Sequence, residues 1–474
     1  MPNKLQSFVF YRWLVFAVTA VGTFMATLDS SIVNVALPQI STNLNSSLTL
    51  VQWVVSAYLL TISCLLPLFG RLGDILGRRN VYTAGFLIFT VGSVLCGMSG
   101  HIAFLIGSRI IQAIGSAMLM SNAPAIVSAT FPGSDRGRAL GLVGMIVALG
   151  SMTGPSVGGV LVDAFGWESI FYVNLPIGVI GFLAGQIILP QEKRYTKEPF
   201  DYAGAILFAL GMTCFLMAVI HGEEWGWLST IVIGLLCVSI IVFWAFIIHE
   251  KRVQFPMIDL SLFKIWAFWS GNITGLLSFM AVFSNTMLLP FYLNDVLHLS
   301  PWQIGMLMTP FPILLALTAP ISGYLSERIN PAFLSTAGLT TTTLGLIWLA
   351  TLNATPSIWR IAVGQAILGL GNGLFQSPNN NSVMSAVPPA KLGIAGGINS
   401  LVRNIGQVCG IAIAISIFEN RQAAALSGLL TPNVNQQIAA FLHGYHTALI
   451  VGAAFASTGA VLSFIRRTRL HSKA

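Results

Sequence analysis

Asp29 stands about sixteen residues into an apolar run, among Phe24, Met25, Leu28, Ile32 and Val33. A carboxylate at membrane depth is costly and is rarely kept without a pathway or a partner. Desolvation favours its neutral form, so Asp29 is a candidate to gain and lose a proton during a working cycle. The competing reading is a permanently neutral acid bonded to local backbone. Asn34, little more than a helical turn later, is placed to orient Asp29 or to face a substrate. Arg109 lies inside the outer end of another apolar run. It either snorkels or ties helices together, or its fixed charge tunes the protonation of Asp29. A guanidinium does not itself titrate in proteins, so Arg109 biases a proton site without being one.

A third constellation is GRLGDILGRRN (Gly70 to Asn80), set between two apolar runs in a chain with only 8% charged residues. Asp74 is placed to accept hydrogen bonds from a neighbouring helix N-terminus, where the macrodipole favours an anion. Arg78 and Arg79 pair with acids or mark topology. With Gly70 and Gly77 at the turns, the segment reads as a conformational latch. A shorter remnant, GYLSERIN (Gly323 to Asn330), follows some 250 residues later. Gly150, Gly154, Pro155, Gly158 and Gly159 place small residues and a proline on one run, a pattern that allows close helix approach and a bend. Arg403 sits about ten residues inside a late run; lining a cavity, binding an anionic group and snorkelling remain equal alternatives. Candidate cavity residues are Asn34, Trp53, Tyr58, Gln112, Asn122, Asn285, Tyr292, Phe375, Asn379 and Arg403. They are few polar groups among apolar ones, as ligand sites usually are. Glu223 and Glu224 beside Trp225 and Trp227 are either an exit vestibule for cations or an interfacial aromatic belt with solvated acids.

These residues need long helices to position them. Hydrophobic residues make up 55% of the 474 and mean hydropathy is +0.81, which excludes a soluble domain. About fourteen runs are long enough to cross a core ~30 Å thick: near 13–38, 50–70, 80–100, 103–130, 137–163, 168–190, 202–221, 228–248, 267–294, 302–325, 332–351, 357–384, 393–418 and 446–466. The first run is read as a retained helix rather than a signal peptide. With the N-terminus inside, 19 of the 23 Lys and Arg fall on inner segments. That asymmetry places both termini in the cytoplasm and makes the +8 charge a matter of topology rather than nucleic-acid binding. The five cysteines all fall within runs without paired spacing, as buried thiols do. No phosphate-binding loop is present, so no ATP-driven step is expected.

The chain also repeats. IQAIGSAMLMSNAP (Ile111 to Pro124) aligns with ILGLGNGLFQSPNN (Ile367 to Asn380) at an offset of 256, and the segments behind them match at the same offset. The expected organisation is an N-terminal six-helix half over 1–190, a linker with two extra helices over 191–260, and a C-terminal six-helix half over 261–474.

Five segments carry a resemblance. LDSSIVNVALPQI (Leu28 to Ile40), GRLGDILGRR, SRIIQAIGSA (Ser108 to Ala117), GSMTGPSVGG (Gly150 to Gly159) and WESIFYVNLPIG (Trp167 to Gly178) together resemble the motifs of the fourteen-helix drug:proton antiporters of the major facilitator superfamily. Ala113 and Glu168 depart from the usual glycine and arginine. The resemblance implies an all-α polytopic membrane protein of the inner membrane with the major facilitator fold, and a transporter rather than an enzyme. It implies proton-coupled efflux of small amphipathic compounds, with coupling at Asp29 and Arg109 and a fifth helix that seals and reopens the cavity. Membrane lipids, protons and a small-molecule substrate are the expected partners. No metal or cofactor beyond the proton gradient is expected, and one chain suffices. Export or flipping of an endogenous lipid or metabolite is the alternative, and a non-transporting receptor or scaffold a third.

Overall fold

The computed structural model describes residues 9–46, 48–191, 199–299, 301–427 and 433–471. Lys4, Lys193, Arg194, Lys197 and Lys473, counted above as inner charges, lie outside them, as does most of the charged segment between 191 and 201. Helices account for nearly all of the described chain: α1 (Val9–Asn43), α2 (Leu48–Leu76), α3 (Arg78–Gly97), α4 (Ile102–Thr130), α5 (Gly133–Phe165), α6 (Ser169–Tyr172), α7 (Asn174–Ile188), α8 (Tyr202–Trp225), α9 (Thr230–Arg252), α10 (Trp266–Phe291), α11 (Pro301–Met308), α12 (Pro310–Leu325), α13 (Pro331–Leu349), α14 (Ile358–Ser385), α15 (Leu392–Leu426) and α16 (Val434–His471). Without water in a bilayer core, a spanning segment must satisfy its own backbone, and a helix does so within itself. Ile187, Ile206, Ile240, Ile241 and Trp244 are each more than 60% exposed, an arrangement that lipid tolerates and water does not.

Each of the fourteen apolar runs coincides with a helix or a consecutive pair of them. Among the described residues, twelve helical segments are long and apolar enough to cross a membrane, against the fourteen expected. The long helices α5 and α14 are not among the twelve. In α14 the apolar residues are diluted by Arg360, Gln365, Asn372, Gln376 and Asn379. Two runs are also broken. Pro310 opens a new helix inside the run near 302–325, and the run near 168–190 divides at Val173.

Two compact units emerge. The first comprises Met1–Ala218, Ile233–Lys264 and Met384–Leu401. In it α1 packs along α5, α3 along α4, and α2 against α4. One apolar core gathers Ile32, Val54, Trp167 and Phe171, another Met25, Phe86, Phe89 and Leu119. The second comprises Val219–Val232, Ile265–Val383 and Val402–Ala474, where α10 and α13 pack on α16 and Leu339, Phe375 and Ala460 form a core cluster.

Candidate functional site

In the first unit α1, α4 and α7 deliver four polar side chains to one point. Arg109 Nη1 lies 2.5 Å from Asp29 Oδ2. Gln112 Nε2 donates to Asp29 Oδ1 at 2.8 Å, and Asn174 Nδ2 donates to the same oxygen at 3.2 Å. The three donors converge because Arg109 and Gln112 are three residues apart on α4, hence on one face, and because Asn174 is the first residue of α7, just after the break at Val173. Asp29, Arg109, Gln112 and Asn174 are all at most 1% exposed.

Around this centre the network is nearly closed. Arg109 Nε donates to the Val54 carbonyl at 3.1 Å, and its Nη1 reaches Gln112 Oε1 at 2.6 Å. Gln112 Nε2 also donates to Ser93 Oγ at 2.7 Å. The guanidinium lies 3.9 Å above the Tyr58 ring, a cation–π contact that strengthens away from water. The Tyr58 hydroxyl donates to Ser116 Oγ at 3.0 Å. Two buried atoms have no partner among the described residues, Arg109 Nη2 and Asn174 Oδ1. Arg109 therefore does not snorkel. It supplies the counter-charge that a lone carboxylate would lack, and breaking such a buried pair costs about 3–5 kcal/mol. Of the four centre side chains only that of Asp29 is an acid, since a guanidinium stays charged and amides do not titrate. Any protonation event here is an event at Asp29, and it removes the partner charge of Arg109.

Asn34 is exposed and makes no hydrogen bond to Asp29; Asn174 occupies that orienting position. The sequence contained Asn174 within WESIFYVNLPIG, but a lone amide in an apolar run gives no sign of its direction. Ser93 was likewise silent.

The Gly70–Arg79 segment forms the second constellation. Asp74 Oδ1 accepts the Gly393 backbone N–H at 2.9 Å and Oδ2 accepts that of Ile394 at 3.0 Å. Both amides belong to the first turn of α15, where unpaired N–H groups and the macrodipole favour an anion. Arg78 Nη2 donates to Asp74 Oδ1 at 2.8 Å and to the Pro389 carbonyl at 2.8 Å. Arg79 donates to the Gln186 carbonyl of α7. Gly77 has φ +94°, a region that side chains disfavour. At Gly70 a Cβ would lie 2.5 Å from the Gly393 carbonyl oxygen, so glycine permits the close approach of α2 and α15.

Ser31 Oγ of α1 donates to the Gly150 carbonyl of α5 at 3.3 Å, and a Cβ on Gly154 of α5 would collide with Ser31 Oγ. Gly158 lies against Ile32, while Gly159 faces open space. The side chain of Pro155 lies outside the described residues. Of the remaining cavity candidates in the first unit, Trp53 is half-buried, and Asn122 donates to the Phe69 and Met118 carbonyls, both at 3.1 Å.

The second unit holds the rest. Asn379 donates to the Gly271 carbonyl at 2.9 Å and accepts from Arg466 Nη1 at 3.1 Å. Arg466, one of the basic residues on the inner segments, is fully buried. Its place in the basic run FIRRTRL concealed that. Asn285 is buried with Oδ1 unpartnered among the described residues. The Tyr292 hydroxyl donates to the Asn353 carbonyl at 2.7 Å, and Phe375 is core. Arg403 is half-buried. Trp227 Nε1 donates to Glu223 Oε2 at 3.0 Å and to Ser416 Oγ at 2.7 Å.

Within the described residues, twelve helical segments long and apolar enough to cross a membrane, with a solvent-free ion pair among them, make up a multi-pass membrane protein. The chain belongs to the Major Facilitator Superfamily, whose family profile it matches over residues 19–411 and again over 272–473. It is 38% identical over 408 residues to the riboflavin transporter RibZ of Clostridioides difficile, covering 86% of this chain and 88% of that protein. It is 34% identical over 421 residues to the multidrug resistance protein Stp of Mycobacterium tuberculosis, covering 89% and 78% respectively. Among solved structures, the human organic anion transporter MFSD10 (TETRAN) shares the fold with a TM-score of 0.66 at 15% identity, covering 95% of this chain and 99% of that one.

Proposed function

We propose that the protein exports small amphipathic or lipophilic compounds across the cytoplasmic membrane in exchange for protons, by alternating access of two six-helix halves. In this reading α5 and α14 also span, giving fourteen crossings with both termini cytoplasmic, and α8 and α9 are the inserted pair. A monomer in the lipid bilayer suffices, and the proton gradient is the only energy source. The observation that carries the proposal is the buried Asp29–Arg109 pair. An acid whose ionised form is held by one guanidinium and two amides has two distinct states, and a proton converts one to the other. The Asp74 clasp on the first turn of α15 serves as the latch that holds one conformation. Export of xenobiotics is supported by the similarity to the multidrug resistance protein Stp.

A second reading is transport of an endogenous heteroaromatic metabolite, favoured by the similarity to the riboflavin transporter RibZ. The two separate in proteoliposomes carrying an imposed proton gradient, offered lipophilic fluorescent cations and riboflavin in parallel. Gradient-driven movement of the cations supports multidrug efflux. Movement of riboflavin alone supports the second reading. Movement of either that ignores the gradient refutes proton coupling.

A further inference from the structure

The ends of α8 and α9 carry acidic chemistry that plays no part in the Asp29 site. Glu250, in the last turn of α9, is only 4% exposed. Its Oε2 accepts the Ile258 backbone N–H at 3.2 Å, whereas its Oε1 is buried without a hydrogen-bond partner among the described residues. Asp201, just before α8, has a side chain 5% exposed and accepts from His249 Nε2 at 2.9 Å. The same Asp201 oxygen accepts the Gly204 backbone N–H at 2.9 Å. The two acids meet at Gly204, where a Cβ would lie 2.4 Å from Asp201 Oδ2 and 2.6 Å from Glu250 Oε1. Glycine is what leaves room for both carboxyl groups there.

Asp201 is thus supplied with donors, His249 Nε2 also reaching its Oδ2 at 3.2 Å, whereas Glu250 Oε1, which shares the space beside Gly204 with that oxygen, has none among the described residues. We infer that Glu250 takes a proton from water onto Oε1 and donates it to Asp201 Oδ2, forming a proton-operated clasp between the start of α8 and the end of α9. Releasing that proton to water leaves two carboxylates across Gly204, with the His249 ring bonded to Asp201 alone of the two, and the clasp opens. The neighbouring charges are accounted for: Lys251 and Arg252 are exposed, and Asp259, next to Ile258, is bonded to Lys391. The clasp is separate from Asp29. Only its exposure to cytoplasmic pH rests on the topology proposed above.

Infrared difference spectroscopy on the full chain in lipid nanodiscs, titrated from about pH 8.5 to pH 5 across the histidine and carboxyl range, reads the proton directly. The expected result is a protonated-carboxyl carbonyl band that is missing from Glu250→Gln, and that is shifted but retained in Asp201→Asn. A wild-type spectrum matched by Glu250→Gln would overturn the assignment, as would a band lost only in Asp201→Asn. Spin labels at Tyr202→Cys and Lys251→Cys give a second readout that requires no transport. The inter-label distance should lengthen at high pH in the otherwise wild-type chain and stay constant in Glu250→Gln. A distance that ignores pH in both would refute the clasp.

Discussion

Replacing Asp74 by asparagine removes the charge on which four donated contacts converge. Oδ1 takes the Gly393 N–H at 2.9 Å and Arg78 at 2.8 and 3.2 Å, and Oδ2 takes the Ile394 N–H at 3.0 Å. Asparagine has one oxygen, so whichever way the amide turns, its NH2 group faces a donor. Arg78, fully buried, loses its neutralising carboxylate. Hydrogen bonds to charged groups contribute about 1.5–3 kcal/mol against about 0.5–1.5 for neutral ones, and an anion at a helix N-terminus adds about 0.3–1. A net loss of about 3 kcal/mol changes the ratio of docked to undocked α15 termini by roughly 150-fold, at about 1.4 kcal/mol per decade. The assay is double electron–electron resonance between labels at Leu76→Cys and Ser385→Cys, both exposed, with exposed Cys237 replaced by serine. The otherwise wild-type chain should give one short, narrow distance, and Asp74→Asn a dominant longer population. Identical distributions would refute the reasoning, because the carboxylate would then contribute nothing to docking.

Further outcomes follow from the same contacts. Asn174→Leu removes one hydrogen-bond donor to Asp29, a loss of about 1.5 kcal/mol for a bond to a charged group, so gradient-driven transport should fall by roughly tenfold; an unchanged rate would remove Asn174 from the coupling centre. Gly77→Ala forces a side chain into positive φ at about 1–2 kcal/mol and should lower the thermal midpoint in detergent, while Gly159→Ala, beside open space, should not. Burial pushes the Asp259 carboxyl up, but the bonds from Lys391 and Ser261 outweigh it and hold it below the ordinary aspartate value. A lowered acid stabilises at neutral pH and ceases to do so as pH falls through its folded value. The stability difference between wild type and Asp259→Asn should therefore persist at pH 7 and vanish on acidification below about pH 4.

The helices were legible because an apolar run of spanning length, with no water to bond its backbone, must close its hydrogen bonds within itself. Their ends were less so. The run read near 446–466 begins at Val434, because the polar Asn435, Gln436 and Gln437 dilute its first turn. The Asp29–Arg109 pair was half visible: each charge stood out against apolar neighbours, but nothing in one sequence says that two buried charges meet. Gln112 was read as a cavity residue and lies instead against Asp29, since an amide serves either place equally well. Asn174 and Ser93 were invisible for the same reason. Asp74 announced its helix-terminal partner by type and position, whereas the acid pair across Gly204 depends on a tertiary contact between two helix ends and left no sequence pattern.

The central claim is that proton exchange at Asp29 drives transport. The direct test is accumulation of a lipophilic fluorescent cation in proteoliposomes under an imposed proton gradient, comparing wild type with Asp29→Asn and measuring equilibrium binding of the same cation to both. Loss of gradient-driven accumulation in Asp29→Asn with binding retained is the predicted result. Undiminished gradient-driven accumulation by Asp29→Asn would contradict it.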